Sequence, residues 1–154
     1  MITPNFHSYK DIVYDIIGAA MEVHRQIGHG LLEPIYNEAL HIELNSIGIN
    51  HTQEQRILCY YKGIALDKYY QADIATDDVI LELKSVSEIN SQHRKQLLNY
   101  LRLTKKPIGL LINFGQPSLQ TNRIGCDTTT NKCYLLDSNM NILYNQNRFS
   151  SNSH

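Results

Sequence analysis

The stretch Asp78-Val79-Ile80-Leu81-Glu82-Leu83-Lys84 constrains the chain more than any other. It is apolar enough to demand a place inside a sheet, yet it carries a carboxylate and an ammonium. Strand side chains alternate with period two, so Ile80, Glu82 and Lys84 share one face and Val79, Leu81 and Leu83 the other. An ion pair at a sheet edge, worth at most ~1 kcal/mol, would account for the two charges locally. A binding or catalytic site would account for them as well.

The preceding strand decides how much weight the second reading gets. If Asp77-Asp78 is a two-residue turn, Thr76 opposes Val79, Ala75 opposes Ile80, Ile74 opposes Leu81 and Asp73 opposes Glu82. Like charges facing each other across strands repel, so such a pair requires a cation between them. Lys84, on the same face, could supply part of that compensation or act on a water held by a metal. Two carboxylate oxygens with waters are what a hard divalent ion accepts when it also binds a phosphate. A metal so held polarises a phosphoryl oxygen and lowers the pKa of water.

Two flanking segments add to the site. In Gln96-Leu97-Leu98-Asn99-Tyr100-Leu101, Gln96 and Tyr100 are four apart and share a helix face, where an amide and a phenol could orient a nucleotide. Their plain reading is the polar border of an amphipathic helix. Glu33 stands just before Pro34, a good first helical position. A carboxylate there is stabilised by the helix dipole, or it is a third acid for the metal.

The rest of the chain reads as helices, then strands, then helix and strand. Ile12, Ile16, Ala19, Ala20, Val23 and Ile27 recur at helical spacing over Tyr9–Ile27, ended by Gly28-His29-Gly30. A second helix runs from Pro34 toward Gly48. Arg56–Tyr61 and Ile64–Tyr70 flank Lys62-Gly63 as a hairpin, followed by strands at Tyr69–Ala75 and Val79–Lys84. Gln92–Leu103 is a helix and Ile108–Phe114 a strand. Beyond Gly115 only Cys133–Leu136 and Asn141–Tyr144 look like short strands, and disorder is expected from about residue 147. The fold class expected is α/β or α+β, a mixed central sheet flanked by helices, in one domain over residues 1–154. Its core spans about 9–116, with a C-terminal extension over 117–146.

Composition narrows the function classes. A 42% hydrophobic fraction over 154 residues suits one soluble core, and no apolar run is long enough to cross a membrane. The N-terminus shows no secretory signal, and Cys59, Cys126 and Cys133 have no CxxC spacing. A cytoplasmic protein with reduced thiols is therefore expected, rather than one with a Cys126–Cys133 bridge. The net charge is only −1, but it is unevenly spread. Residues 1–83 hold five Lys/Arg against twelve Asp/Glu, whereas 84–106 hold six against one. That basic block, which includes Arg94, Lys95, Arg102, Lys105 and Lys106, could track a phosphate backbone; a solvated helix face is the plain alternative.

Taken in order, the segments resemble the GxxExxY proteins of the PD-(D/E)xK nuclease-like superfamily. The motif stands here as Gly30-Leu31-Leu32-Glu33-Pro34-Ile35-Tyr36, with similar segments around it over about residues 10–116. The resemblance implies a restriction-endonuclease-like core in which Asp73 and Glu82 hold the metal, Lys84 is the catalytic lysine and Glu33 an additional acid. Gln96 and Tyr100 look like the QxxxY element of RecB-like exonucleases, associated with free DNA ends and single strands. His24 is a secondary candidate for a ligand, while His29 reads as a loop residue.

The expected function is that of a Mg²⁺- or Mn²⁺-dependent nuclease on nucleic acid, DNA favoured over RNA, with Arg94 and Lys95 among the substrate contacts. The alternatives are a nucleic-acid-binding module without turnover and a protein-interaction subunit on the same fold. No membrane association is expected, and nothing in the sequence fixes an oligomeric state.

Overall fold

The computed structural model describes residues 3–144, so the expected disorder near the C-terminus lies outside the described residues. A 3-10 turn at His7–Tyr9 leads into α1 (Lys10–Ile27) and α2 (Glu33–Ser46). Then follow β1 (Thr52–Tyr61), β2 (Ile64–Ala75), β3 (Val79–Lys84), α3 (Ser91–Thr104), β4 (Ile108–Asn113), β5 (Gln120–Cys126) and β6 (Cys133–Leu136). The strands lie side by side in chain order. All neighbours are antiparallel except β3 and β4, which are parallel and joined by α3. The architecture is mixed α+β, as expected.

The two faces of β3 behave as its alternation dictates. Val79, Leu81 and Leu83 join Ile108, Leu110 and Ile112 of β4 against the apolar stripes of α1 and α2. Ile80 and Leu111 pack on the opposite side with Leu97, Leu98, Tyr100 and Leu101 of α3. A parallel pair covered by helices on both faces must be apolar throughout, and β4 is buried along its whole length. One polar residue breaks that run. Asn113 is fully buried and satisfied: its Oδ1 accepts from the Val86 and Gly115 N–H groups, both at 3.0 Å, and its Nδ2 donates to the Val86 carbonyl at 2.9 Å. It ties the segment after β3 to the end of β4. A Cβ at Gly115 would overlap the Val86 backbone, so only glycine allows this approach.

The Lys62-Gly63 turn forms as expected, with positive φ at both residues (49° and 78°), the geometry a right-twisted hairpin requires. The register of β2 on β3 is also the expected one, with Ile74 opposite Leu81 and Ala75 opposite Ile80.

Several boundaries differ. The second helix begins at Glu33, one residue before the proline, and β2 is one twelve-residue strand rather than two. Its outer two thirds are exposed, which hides the alternation that marks a strand. β5 was not expected, because Gln120-Thr121-Asn122-Arg123 is polar and half-buried. Asn141–Tyr144 contributes only an isolated bridge, Ile142 to Leu136. The β5–β6 register sets Cys126 directly opposite Cys133, and the two form a disulfide, against the expectation of reduced thiols. Cys59 is free.

Candidate active site

At Asp73 the ladder between β2 and β3 passes from backbone to side chains. The Asp73 N–H donates to Glu82 Oε1 at 3.0 Å, and the Leu83 N–H donates to Asp73 Oδ2 at 2.7 Å. Each carboxyl is thus fastened to the opposite strand. On the other side, Glu54 would be the β1 partner of Asp73, but only the flanking pairs Gln53–Ile74 and Gln55–Ala72 form. Glu54 takes φ +52°, a strained value for a non-glycine residue. The Asp73 carbonyl is approached instead by Asn37 Nδ2 of α2 at 3.4 Å, and Asn37 is held by Gln53 at 2.9 Å. Alternation in β2 breaks at this point, since Ala72 and Ala75 both face the α3 side.

The electrostatics follow from this crowding. Glu82 is only 6% exposed; burial, then the Asp73 charge, push its carboxyl up to about 8, against a smaller opposing pull from Lys84. Asp73 is raised as well, first by burial and then by Glu33 and Glu54, while the Leu83 N–H and Lys84 work the other way. Lys84 is half-buried and makes no ion pair among the described residues. Two acids that resist joint ionisation beside one lysine form a site short of positive charge.

Glu33 reaches the same end of β3, where its Oε2 accepts the Ser85 N–H at 3.3 Å. The glycine and tyrosine of its motif explain how it is held. Gly30, at φ +85°, donates its N–H to the Phe114 carbonyl at 3.1 Å. Tyr36 is fully buried and stacks on Phe114 with ring centroids 4.3 Å apart. Its hydroxyl donates to the Gly28 carbonyl (2.7 Å) and accepts from the Leu31 N–H (3.1 Å). The motif is a clamp that fixes the α1–α2 loop and so the start of the helix carrying Glu33.

One face of α3 covers the site. Gln96 Nε2 donates to the Tyr100 hydroxyl at 2.7 Å, and burial with the charge of Glu82 pushes that phenol up to about 12. One turn toward the N-terminus, His93 closes a capping box with Asn90, its Nδ1 accepting the Asn90 N–H at 3.1 Å. Its pKa is lowered, by burial first and then by Lys84. The face therefore runs from His93 near Lys84 and Glu33 to Tyr100 near Glu82 and Asp73.

Other expected residues lie elsewhere. His24 directs Nε2 at the Gln116 carbonyl, 2.8 Å away, so this nitrogen is committed to a structural bond and not to the acids. Lys106 caps the β2–β3 turn through the Thr76 and Asp77 carbonyls (2.6 and 2.8 Å), and Lys105 reaches Asn131 at 3.0 Å. These contacts place the two lysines at the far end of α3. Arg94 leans on Asn122 at 3.5 Å, and Lys95 is exposed. His93, Asn37, Gln53 and Glu54 join the site without having been singled out. The Asn90-to-His93 spacing was a readable cap signal, but the other three depend on register.

Among the described residues no three His, Cys, Asp or Glu side chains stand close enough together to hold a metal ion. The donor chemistry nevertheless fits one. Asp73 and Glu82 present hard oxygens from facing positions, each with only one oxygen bonded to a backbone N–H, and their mutual repulsion is what a divalent cation relieves. A groove of about 600 Å³ opens beside Asp73, lined by Glu33, Asn37, Glu38, Gln53 and Glu54 among others.

A mixed sheet with this strand order, and acids and a lysine where β2 and β3 splay apart, is a restriction-endonuclease-like arrangement. The chain belongs to the PD-(D/E)XK nuclease superfamily, whose family profile matches residues 10–124. No curated protein matches the sequence. A solved structure described as "Crystal structure of SSO0001" is similar at 18% identity and a TM-score of 0.46, over 80% of this chain and 64% of that one. The chain thus spans somewhat less than two thirds of that protein's length. No described helix is long and apolar enough to cross a membrane.

Proposed function

We propose that the chain is a divalent-metal-dependent nuclease of the GxxExxY group that hydrolyses phosphodiesters, with DNA favoured over RNA and ends or single strands favoured over duplex interiors. The observation that carries this reading is the reciprocal bonding of Asp73 and Glu82 across the strands, with Lys84 beside them. Asp73 and Glu82 would hold Mg²⁺ or Mn²⁺, with Glu33 as the third acid. The bound ion would neutralise phosphoryl charge and lower the pKa of an attacking water.

The chain's own groups do the rest. Lys84, two residues from Glu82 on the same strand face, places that water for attack. Gln96 and Tyr100 act as one unit, because the amide fixes the phenol, which stays protonated and able to donate to substrate. His93, with Nδ1 occupied as an acceptor, presents Nε2–H as a neutral donor for a phosphate oxygen. Arg94 and Lys95 supply sequence-independent attraction that weakens with salt.

The test is cleavage of linear, circular and single-stranded DNA and of RNA with Mg²⁺ or Mn²⁺, beside Asp73→Ala and Lys84→Ala. Metal-dependent products lost in both folded variants are expected. The reading fails if no substrate is cleaved, or if both variants cleave like the wild type. Salt-sensitive binding without any cleavage would leave a nucleic-acid-binding module.

A further inference from the structure

We propose that the β1–β2 hairpin is a binding arm for single-stranded nucleic acid, whose bases stack on its tyrosines beside the acid pair. This deepens the nuclease reading and rests on it.

Tyr60 and Tyr61 are each 63% exposed, Tyr69 44% and Tyr70 39%. Strand alternation sets Tyr60 and Tyr61, and likewise Tyr69 and Tyr70, on opposite faces, so each face of the ribbon keeps large rings in solvent. Cations are interleaved with them. Arg56, Lys62 and Lys68 are all exposed, and Asp67 is the one acid between residues 55 and 71. Those are three of the five Lys/Arg in the first 83 residues, a region otherwise rich in acids. The Arg56 guanidinium lies 4.5 Å from the centre of the Tyr69 ring, and the Lys62 ammonium 5.6 Å from that of Tyr61. Aromatic faces with adjacent cations are what sequence-tolerant binding of single strands uses, since every base has a π-face and every linkage a negative charge.

The arm is continuous with the site. The ring of Tyr70 lies 5.5 Å from that of Tyr100, the phenol bonded to Gln96 on the face of α3 that covers the acids. From Tyr70 to the turn the strand extends about 20 Å at 3.3 Å per residue, the reach of several nucleotides. An arm of this kind also adds to the attraction from Arg94 and Lys95 on energetic grounds. Asp73, Glu82, Glu33 and Glu54 repel a phosphodiester, and Lys105 and Lys106 are engaged elsewhere. Groups beside the acids offset that repulsion, and the arm supplies three further cations. Leu58, Ile64 and Leu66 are exposed here too, and a second copy adding its own β1 edge is the competing occupant. That pairing would crowd the cations of two hairpins, Arg56 and Lys62 among them, along one seam, which disfavours it.

Fluorescence anisotropy with labelled oligo(dT), oligo(U) and a duplex, in chelator to prevent turnover, tests the proposal. The wild type is expected to bind either single strand more tightly than duplex. Tyr61→Ala and Tyr70→Ala are each expected to weaken this by about tenfold, while Tyr61→Phe, Tyr70→Phe and the remote Tyr14→Ala hold wild-type affinity. Binding of only one of the two single strands, with the same tyrosine dependence, supports the arm and identifies its sugar. Single-strand affinity unchanged by both alanine substitutions overturns the arm, and cleavage that persists in those variants then leaves the nuclease reading standing. Tyrosine-dependent binding with no metal-dependent cleavage keeps the arm and removes the nuclease. A wild-type dimer that dissociates on Tyr61→Ala with unchanged oligonucleotide binding shows a contact between copies and overturns the proposal.

Discussion

Glu82 carries the charge that its own strand cannot accommodate. With its carboxyl raised to about 8, the metal-free native state holds a proton that the unfolded chain releases near the ordinary glutamate value. The native state therefore binds more protons between those values, and the stability due to this proton is complete below about pH 4.5 and is lost as pH rises through about 8. Asp73 is shifted in the same direction. Metal-free protein should melt lower at pH 8.5 than at pH 6, and Glu82→Gln should flatten the dependence and raise the melting temperature at pH 8.5 by on the order of 3–6 °C. Parallel pH profiles for wild type and variant, measured by circular dichroism in chelator, would contradict this. Mg²⁺ or Mn²⁺ should recover the wild type at pH 8.5 and leave Glu82→Gln nearly unmoved, since the ion favours the ionised pair. The acids and the lysine were legible in the sequence because period two and a two-residue turn fix who faces whom. The bond from His24 to the Gln116 carbonyl was not legible, because helical spacing does not say which carbonyl lies beyond the helix end.

Elements hold these residues at their angles, and two small devices do most of the holding. Tyr36 closes the α1–α2 loop, so Tyr36→Phe strands the Leu31 N–H and the Gly28 carbonyl at a cost of about 1–2 kcal/mol. The expected outcome is a lower melting temperature and weaker metal-dependent activity through a displaced Glu33. Activity unchanged at full stability would show that the clamp does not position the acid. Asn113 satisfies three backbone groups after β3 and β4, so Asn113→Leu should cost roughly 2–4 kcal/mol in urea unfolding. The clamp was visible as a motif, but its physical purpose was not, because the partner Phe114 lies far along the chain. Lys105 and Lys106 are the converse, plain in the sequence but placed only by the fold. Charge counting puts them in a basic block, whereas the left-handed cap at Lys105 (φ 60°) turns them to the end of α3 away from His93.

Across the whole molecule, the sheet follows chain order, and only one crossover is needed to set two helices on one face and one on the other. That simplicity explains why the architecture could be read from periodicity up to Gly115. Beyond it, β5 has a half-polar sequence at a half-buried position, and the Cys126–Cys133 bond depends on a register that spacing alone does not reveal. The strain at Glu54 and the interrupted pairing at Asp73 lie where local pairing rules fail, and a site built on displaced backbone is expected there.

The most direct measurement is the rate of metal-dependent DNA cleavage by wild type, Asp73→Ala and Lys84→Ala, each checked for folding by circular dichroism. Loss of metal and lysine assistance should remove several kcal/mol of transition-state stabilisation, so both variants should fall by about a thousandfold or more while remaining folded. Equal rates in all three proteins, or cleavage that persists in chelator, would contradict the assignment of Asp73, Glu82 and Lys84 as the working site.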